Sequence, residues 1–490
     1  MTRLGVKTVN KVKATIAGTL NRSLLAAALI TAPAVSTVVA DAFAPDTAWT
    51  FGTAAAQELI RPASNPPEPR RIPGISQRLN EELSEVQAFI DPEEDSGREP
   101  DLGEALNLLQ EMESNISEYN AYEQAQIYNF MANVHFQQDN MQKTIEAFEK
   151  VVARSPQIPT GLETGTWQIL GKLHMQEEDF AAALDAFENW TNLVTSINAD
   201  QYYTFSLLFY QMGQEDRALA HVNKAVSMTE AEGEVPEENW FAMQRLLYFE
   251  KEDYQSTAEV LEKMVRHYPK VSTWRQLSDM YSLLERFDDR LHTLEVVYLL
   301  GGLDKENILV SMASMYLDRE VPYEAAQVLD KGIYEDEIIE PTARNLELLA
   351  NAWSLAQETE KSMVEMEKAA QKSEEGDLFA RLSAIYMLND RYEQSVEAAQ
   401  EALDKGVDRP DQVYLRMGTA YVNLEQYEDA IEVLKEAAKD KRSEEAAKQW
   451  IKYAEGEKAR EEEARRQEEA YQKRKKKWEE EDGLVLPGSA

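Results

Sequence analysis

One stretch constrains the fold more than any other. From Asp411 to Lys441 the chain reads DQVYLRMGTAYVNLEQYEDAIEVLKEAAKDK. Tyr414, Met417, Gly418 and Tyr421 fall on one face of a helix, and Tyr427, Ala430, Leu434 and Ala437 on one face of a second. A short polar turn around Glu425 separates them. Gly418 and Ala430 are small where two antiparallel helices must approach closely, and the larger residues fill the space around them. The stretch therefore predicts a helical hairpin with one buried seam.

The same arrangement recurs. The small residue in the middle of the second helix is Ala105, then Thr144, Ala183, Ala218, Thr257, Arg290, Ala326, Ser362, Ser395 and Ala430, at separations of 33 to 39 residues. Arg290 is the one poor fit. The other positions keep step, as in Trp167, Leu170, Gly171, Phe180 and Phe187, or Leu382, Ser383, Tyr386 and Tyr392. Pro156 and Pro269 stand at the closing position, where proline stops a second helix. This pattern resembles the tetratricopeptide repeat, a helix–turn–helix unit of about 34 residues. The fold expected is all-α, a tetratricopeptide solenoid of about nine or ten hairpins with a charged C-terminal helix.

The flanks differ. Arg3, Lys7, Lys11, Lys13 and Arg22 precede an apolar run from Ser23 to Val39, with small residues at Ala40 and Ala42. Residues 1–42 thus read as a secretory signal peptide, cleaved after Ala40 or Ala42. Residues 43–74 are Pro-rich and form a disordered or extended lead-in, since Pro45, Pro62, Pro66, Pro67 and Pro69 forbid regular helix. The solenoid is expected over 75–453. It begins with helices near Ser76–Ile90 and Asp101–Met112, joined by a long acidic loop. Residues 454–490 read as a charged helical tail with a fraying end. Lys473 to Lys477 matches cations late in a helix rather than a nucleic-acid patch.

A formal net charge of −38 argues against nucleic acid and anionic lipid as partners. Absence of cysteine excludes disulfides, thiolate metal sites and cysteine nucleophiles. No apolar run after the leader is long enough to span a membrane, so no membrane insertion of the mature chain is expected. The histidines His135, His174, His221, His267 and His292 form no ligand pair, and His135 and His174 occupy a packing position. Gly165 to Lys172 has the wrong glycine spacing for a phosphate loop. Trp167, Trp190, Trp274 and Trp353 fall mostly in repeat positions and read as core. No catalytic constellation, cofactor or metal site is expected.

What remains is the concave surface, lined by the first helices. Its free positions are Asn129, Asn133, Gln168, Lys172, Tyr203, Arg275, Asp279, Arg344 and Asn351. Amides and guanidinium groups there can hold a peptide backbone. The alternative is a plain solvated face.

Several runs carry a closer resemblance. They are Arg70-Arg71-Ile72-Pro73, Val235-Pro236-Glu237-Glu238-Asn239-Trp240 with Gln244-Arg245 and Tyr248-Phe249-Glu250, Val321-Pro322-Tyr323, Arg344-Asn345-Leu346 with Trp353, and Asp408-Arg409-Pro410. In order and spacing the chain is similar, from Arg70 to Tyr453, to bacterial tetratricopeptide-domain proteins described as components of the TonB system. The resemblance implies a periplasmic scaffold whose partners belong to the TonB–ExbB–ExbD machinery, and it brings no catalytic residues. A second class of function, a factor in cell-envelope assembly or polysaccharide export, stands beside it. An enzyme is the third and has no residues to support it.

Overall fold

The computed structural model describes residues 59–65, 67–92 and 99–482. The expected signal peptide, the first part of the lead-in, the acidic loop at 93–98 and the end at 483–490 lie outside the described residues. Among the described residues all regular structure is helical. The chain divides into two compact units, Met1–Pro269 and Lys270–Ala490.

The first unit holds α1 (Gln77–Ile90), α2 (Leu102–Ser114), α3 (Ala121–Gln137), α4 (Met141–Val152), α5 (Thr160–Gln176), α6 (Phe180–Thr191), α7 (Ala199–Gln211), α8 (Glu215–Ala231), α9 (Glu238–Glu250) and α10 (Tyr254–His267). The second holds α11 (Val271–Leu283), α12 (Phe287–Leu299), α13 (Glu306–Asp318), α14 (Pro322–Tyr334), α15 (Ala343–Leu355), α16 (Thr359–Lys372), α17 (Asp377–Leu388), α18 (Tyr392–Lys405), α19 (Pro410–Asn423), α20 (Tyr427–Ala437) and α21 (Glu444–Asp482). The described residues of each unit form five hairpins, odd helix against even, and α21 closes the second. The solenoid expectation of nine or ten hairpins thus meets ten.

From the second hairpin to the tenth the inner turn is nearly a constant. Asp139, Glu178, Glu252, Glu285, Glu320, Gln357, Asp390 and Glu425 all have φ between 55° and 63°, and Gly213 has φ 71° in the same place. A left-handed residue after a first helix lets the next N–H reach back over a turn. Asp179 N–H bonds the His174 carbonyl at 2.9 Å, and Gln426 N–H bonds that of Tyr421 at 2.9 Å. The acceptor is always the residue in the aromatic position of the repeat, so the aromatic slot and the turn are one device. Asn140, Asp179 and Asp253 then cap the second helix with their side chains.

Packing at the small positions follows the sequence. A Cβ on Gly171 would lie 2.6 Å from the Phe187 ring, and one on Gly418 2.4 Å from Leu434. At Ser206, Ser383 and Ser395 the hydroxyl bonds the backbone of the facing helix, whereas the buried Ser362 hydroxyl does not. Ser206 Oγ donates to the Ala218 carbonyl at 2.8 Å; Ser395 Oγ donates to that of Ser383 at 2.8 Å, and Ser383 Oγ answers at 2.9 Å. Arg290, the poor fit, is only half-buried, whereas Ala183, Ala218, Ala326, Ser395 and Ala430 are sealed.

The helix α21 spans the boundary expected at 453. Ala447 and Ala454 are buried and Trp450 and Ile451 pack beside them, while its charged remainder is largely exposed. No described helix is long and apolar enough to cross a membrane.

The lead-in departs from disorder. Its described residues, 59–65 and 67–74, carry no helix, yet they are seated on the first unit. Ile60 is buried and its N–H bonds His221 Nε2 at 3.0 Å. Ala63 N–H bonds the carbonyls of Thr191 and Val194 at 3.0 and 2.9 Å. Arg70 pairs with Glu163 and bonds the Ile158 carbonyl at 3.2 Å. Proline forbids helix but not docking in extended form, and it lowers the entropy cost of docking.

Candidate functional site

The first-helix face is treated unit by unit. In the first unit Asn129 and Asn133 share one face of α3, Gln168 and Lys172 one face of α5, each pair four residues apart. Gln168 and Lys172 border a depression of about 200 Å³ with Asn198, Asp200, Gln201 and Thr204 from the start of α7. Asn198 and Gln201 are spent there on a reciprocal cap, 2.9 Å from Asn198 Oδ1 to the Gln201 N–H and 2.8 Å back. Asn133 accepts from Gln137 at 2.7 Å. Tyr203 is half-buried and stacked on Trp240, centroids 5.7 Å apart. Burial, then the nearby Glu237, pushes its phenol up to about 12.

In the second unit Arg275 donates to Asp304 at 2.7 Å. Loss of solvation holds Asp279 above the usual carboxylate range against the pull of Arg290, Lys305 and Arg275. Arg344 and Asn351 are exposed on α15. Among the described residues Asn129, Gln168, Lys172, Arg344 and Asn351 have no hydrogen-bond or ion-pair partner. These are polar groups on a closed core with valence unspent.

A larger cavity, not anticipated from sequence, lies in the second unit among residues of α12 to α16. It measures about 650 Å³ and is lined by rings of Tyr298, Tyr316, Tyr323 and Trp353. Lys361 Nζ stands 4.1 Å from the Trp353 ring centre, and Lys331 Nζ 5.3 Å from that of Tyr298. Tyr316 donates to Glu295 at 2.9 Å. Burial, then Glu365, raises the Asp330 carboxyl above its ordinary value. Leu299, at the edge, is 82 % exposed. Of these rings Trp353 reads as core from its repeat position. The signal that points outward is the consecutive exposed pair Leu299-Leu300.

Among the described residues no group of three or more His, Asp or Glu side chains is placed to hold a metal ion. The arrangement offers surfaces, aromatic and polar.

Residues 125–158 and 411–439 match the family model of the tetratricopeptide repeat. The chain carries tetratricopeptide repeats. A comparison with curated proteins finds no match. Among solved structures the chain is similar to MamA, at 16 % identity over 36 % of this chain and 94 % of that one, TM-score 0.29. A tetratricopeptide repeat protein from Parabacteroides merdae matches at 14 % identity over 51 % of this chain and 93 % of that one, TM-score 0.30. The structure of Naa15/Naa10 bound to HypK-THB matches at 13 % identity, over 73 % of this chain and 64 % of that one, TM-score 0.32.

The runs that carry the TonB-system resemblance do structural work in these repeats. Arg70 pairs with Glu163, and Pro322 opens α14. Trp240 stacks on Tyr203, and Gln244 donates to Asn223 at 2.7 Å, which in turn donates to Tyr248 at 2.9 Å. The buried Asn345 donates to Glu306 at 2.7 Å, and Arg409 grips Asp411 with two bonds of 2.9 Å.

Proposed function

We propose that the chain is a periplasmic protein-interaction scaffold, accessory to TonB–ExbB–ExbD energy transduction, which docks partner segments on its first-helix faces. The general role as a protein-interaction scaffold follows from the tetratricopeptide repeats. The observation that carries the face is the unspent polar set Asn129, Gln168, Lys172, Arg344 and Asn351, set on hairpins whose cores are already closed. The basic and apolar leader supports the compartment. The runs from Arg70 to Pro410 support the partner. An extended arm of an energy-transducing protein suits such a face, because it pays its ordering entropy on docking and binds reversibly.

Replacing those five residues together with alanine tests the reading. Helicity and melting stay as in the wild type, because none of the five is buried. Recovery of TonB, ExbB or ExbD from envelope extracts falls about tenfold, as expected when polar contacts of about 1.5 kcal/mol in total are lost. Undiminished recovery by the folded variant overturns the face. Wild-type protein that recovers none of the three overturns the TonB assignment and leaves the scaffold.

A further inference from the structure

The seat of the lead-in is a row of buried hydrogen-bond acceptors. Glu123 and Glu163, at the starts of α3 and α5, and His221 in α8 are all sealed from solvent. His221 Nδ1 lies 2.7 Å from the Arg217 carbonyl, so that nitrogen carries the proton and Nε2 faces the lead-in as an acceptor. Between them stand the carbonyls of Thr191 and Val194, left open by the end of α6. A buried acceptor without a donor costs the full desolvation of the group. These acceptors therefore need an occupant.

What fills them is mostly backbone. The N–H groups of Ile60 and Ala63 supply His221 and the two carbonyls; Arg70 reaches Glu163 and the Ile158 carbonyl with its side chain, and just past the segment Ser76, the N-cap of α1, meets Glu123. Backbone recognition is transferable from one extended peptide to another. The seating is also loose. Of the described residues in 60–74 only Ile60 is buried, and a cleft of about 470 Å³ remains where Arg70, Arg71 and Pro73 pass Asn120, Pro156 and Gln157.

We propose that this channel on the first unit is a peptide-binding site, filled in cis by residues 59–74 and open in trans to an extended partner peptide. The partner presents an apolar anchor and, ten residues on, an arginine. None of the channel's residues is among the five of the first-helix faces, so its test stands apart from theirs.

The probe is a fluorescein-labelled peptide with the sequence of residues 59–74, and the readout is anisotropy with full-length protein. The double variant Ile60→Asp, Arg70→Ala frees the channel and binds the peptide at least about tenfold more tightly than wild type, whose own lead-in competes. Adding Glu163→Gln reverses the gain about tenfold, because the charged partner of the peptide's arginine is gone. Should the double variant fail to fold by circular dichroism, Arg70→Ala alone keeps Ile60 in place and gains in the same direction. The proposal is overturned if folded variants take up no peptide, or if wild type takes it up as readily. It is equally overturned if the freed protein dimerises without taking up peptide, which assigns the channel to exchange between copies.

Discussion

The two units solve one problem differently. In both, an acidic residue stands at the start of a first helix, where unpaired N–H groups favour a negative charge. In the second unit the neighbours satisfy it. Glu306 accepts from Asn345 on the first helix of the next hairpin, and Asp411 is held by Arg409 and by Ser443 Oγ at 2.6 Å. In the first unit Glu123 is met by Ser76, the N-cap of α1, and by its own Asn120 N–H, but the donor for Glu163 is Arg70 of the lead-in, more than ninety residues away. The second unit is locally complete along this edge. The first depends on a segment that lies outside its hairpins. Buried carboxylates need donors, and the source of the donor decides whether an edge is fixed or exchangeable.

Three experiments would break or sharpen that contrast. The largest effect belongs to what the units share. Gly171→Leu and Gly418→Leu each force bulk against Phe187 or Leu434, and each destabilises its own unit by about 1–3 kcal/mol or more. Hydrogen exchange read peptide by peptide shows where protection is lost. Loss spread evenly over both units by either variant would mean that they do not fold separately, and the contrast would dissolve.

Acid should separate them next. Burial lowers His221 to about 4 and also lowers His135, both in the first unit. An unfolded histidine titrates near 6.5. Between those values the unfolded chain binds more protons, so stability present above about pH 6.5 drains away as pH falls toward 4. Asp411 is different. Its bonds to Arg409 hold it far below the ordinary carboxylate range, against the cost of burial. Its contribution is present above about pH 4 and is lost only below that. Exchange protection in the first unit, residues 59–65 above all, therefore falls between pH 6.5 and 4 before the second unit responds. His221→Gln flattens part of that slope. Equal loss in both units over this window would remove the asymmetry.

The smallest effect probes the shared turn. Glu178→Gly and Glu425→Gly relieve a side chain from positive φ and stabilise each unit by up to about 1 kcal/mol. Melting curves that fall instead would show that these side chains contribute more than their backbone strain costs.

Much of the fold was legible in the chain. The small and aromatic positions at a period near 35 place the hairpins, and Gly171 and Gly418 sit where the spacing put them. The site was less so. Gln168 and Lys172 come together at one depression, yet Tyr203 is spent on Trp240 and Arg275 on Asp304. Both partners lie about thirty residues away or more, a distance over which periodicity says nothing of side-chain pairing. The ring-lined cavity escaped for a related reason. Position in the repeat says that Tyr316 and Trp353 face inward, but not whether the neighbouring hairpins close over them. Over the described residues 59–65 and 67–74 the Pro-rich composition agrees with the absence of helix, and it is silent on docking.

Helix, turn and hairpin register come from the sequence alone, because they rest on contacts within some thirty-five residues and on the steric demands of single positions. The donors that reach Glu123, Glu163 and His221 come from tertiary structure, since a buried acceptor accepts any donor the chain can bring to it. Composition cannot choose among those donors; only the folded path of residues 59–76 does.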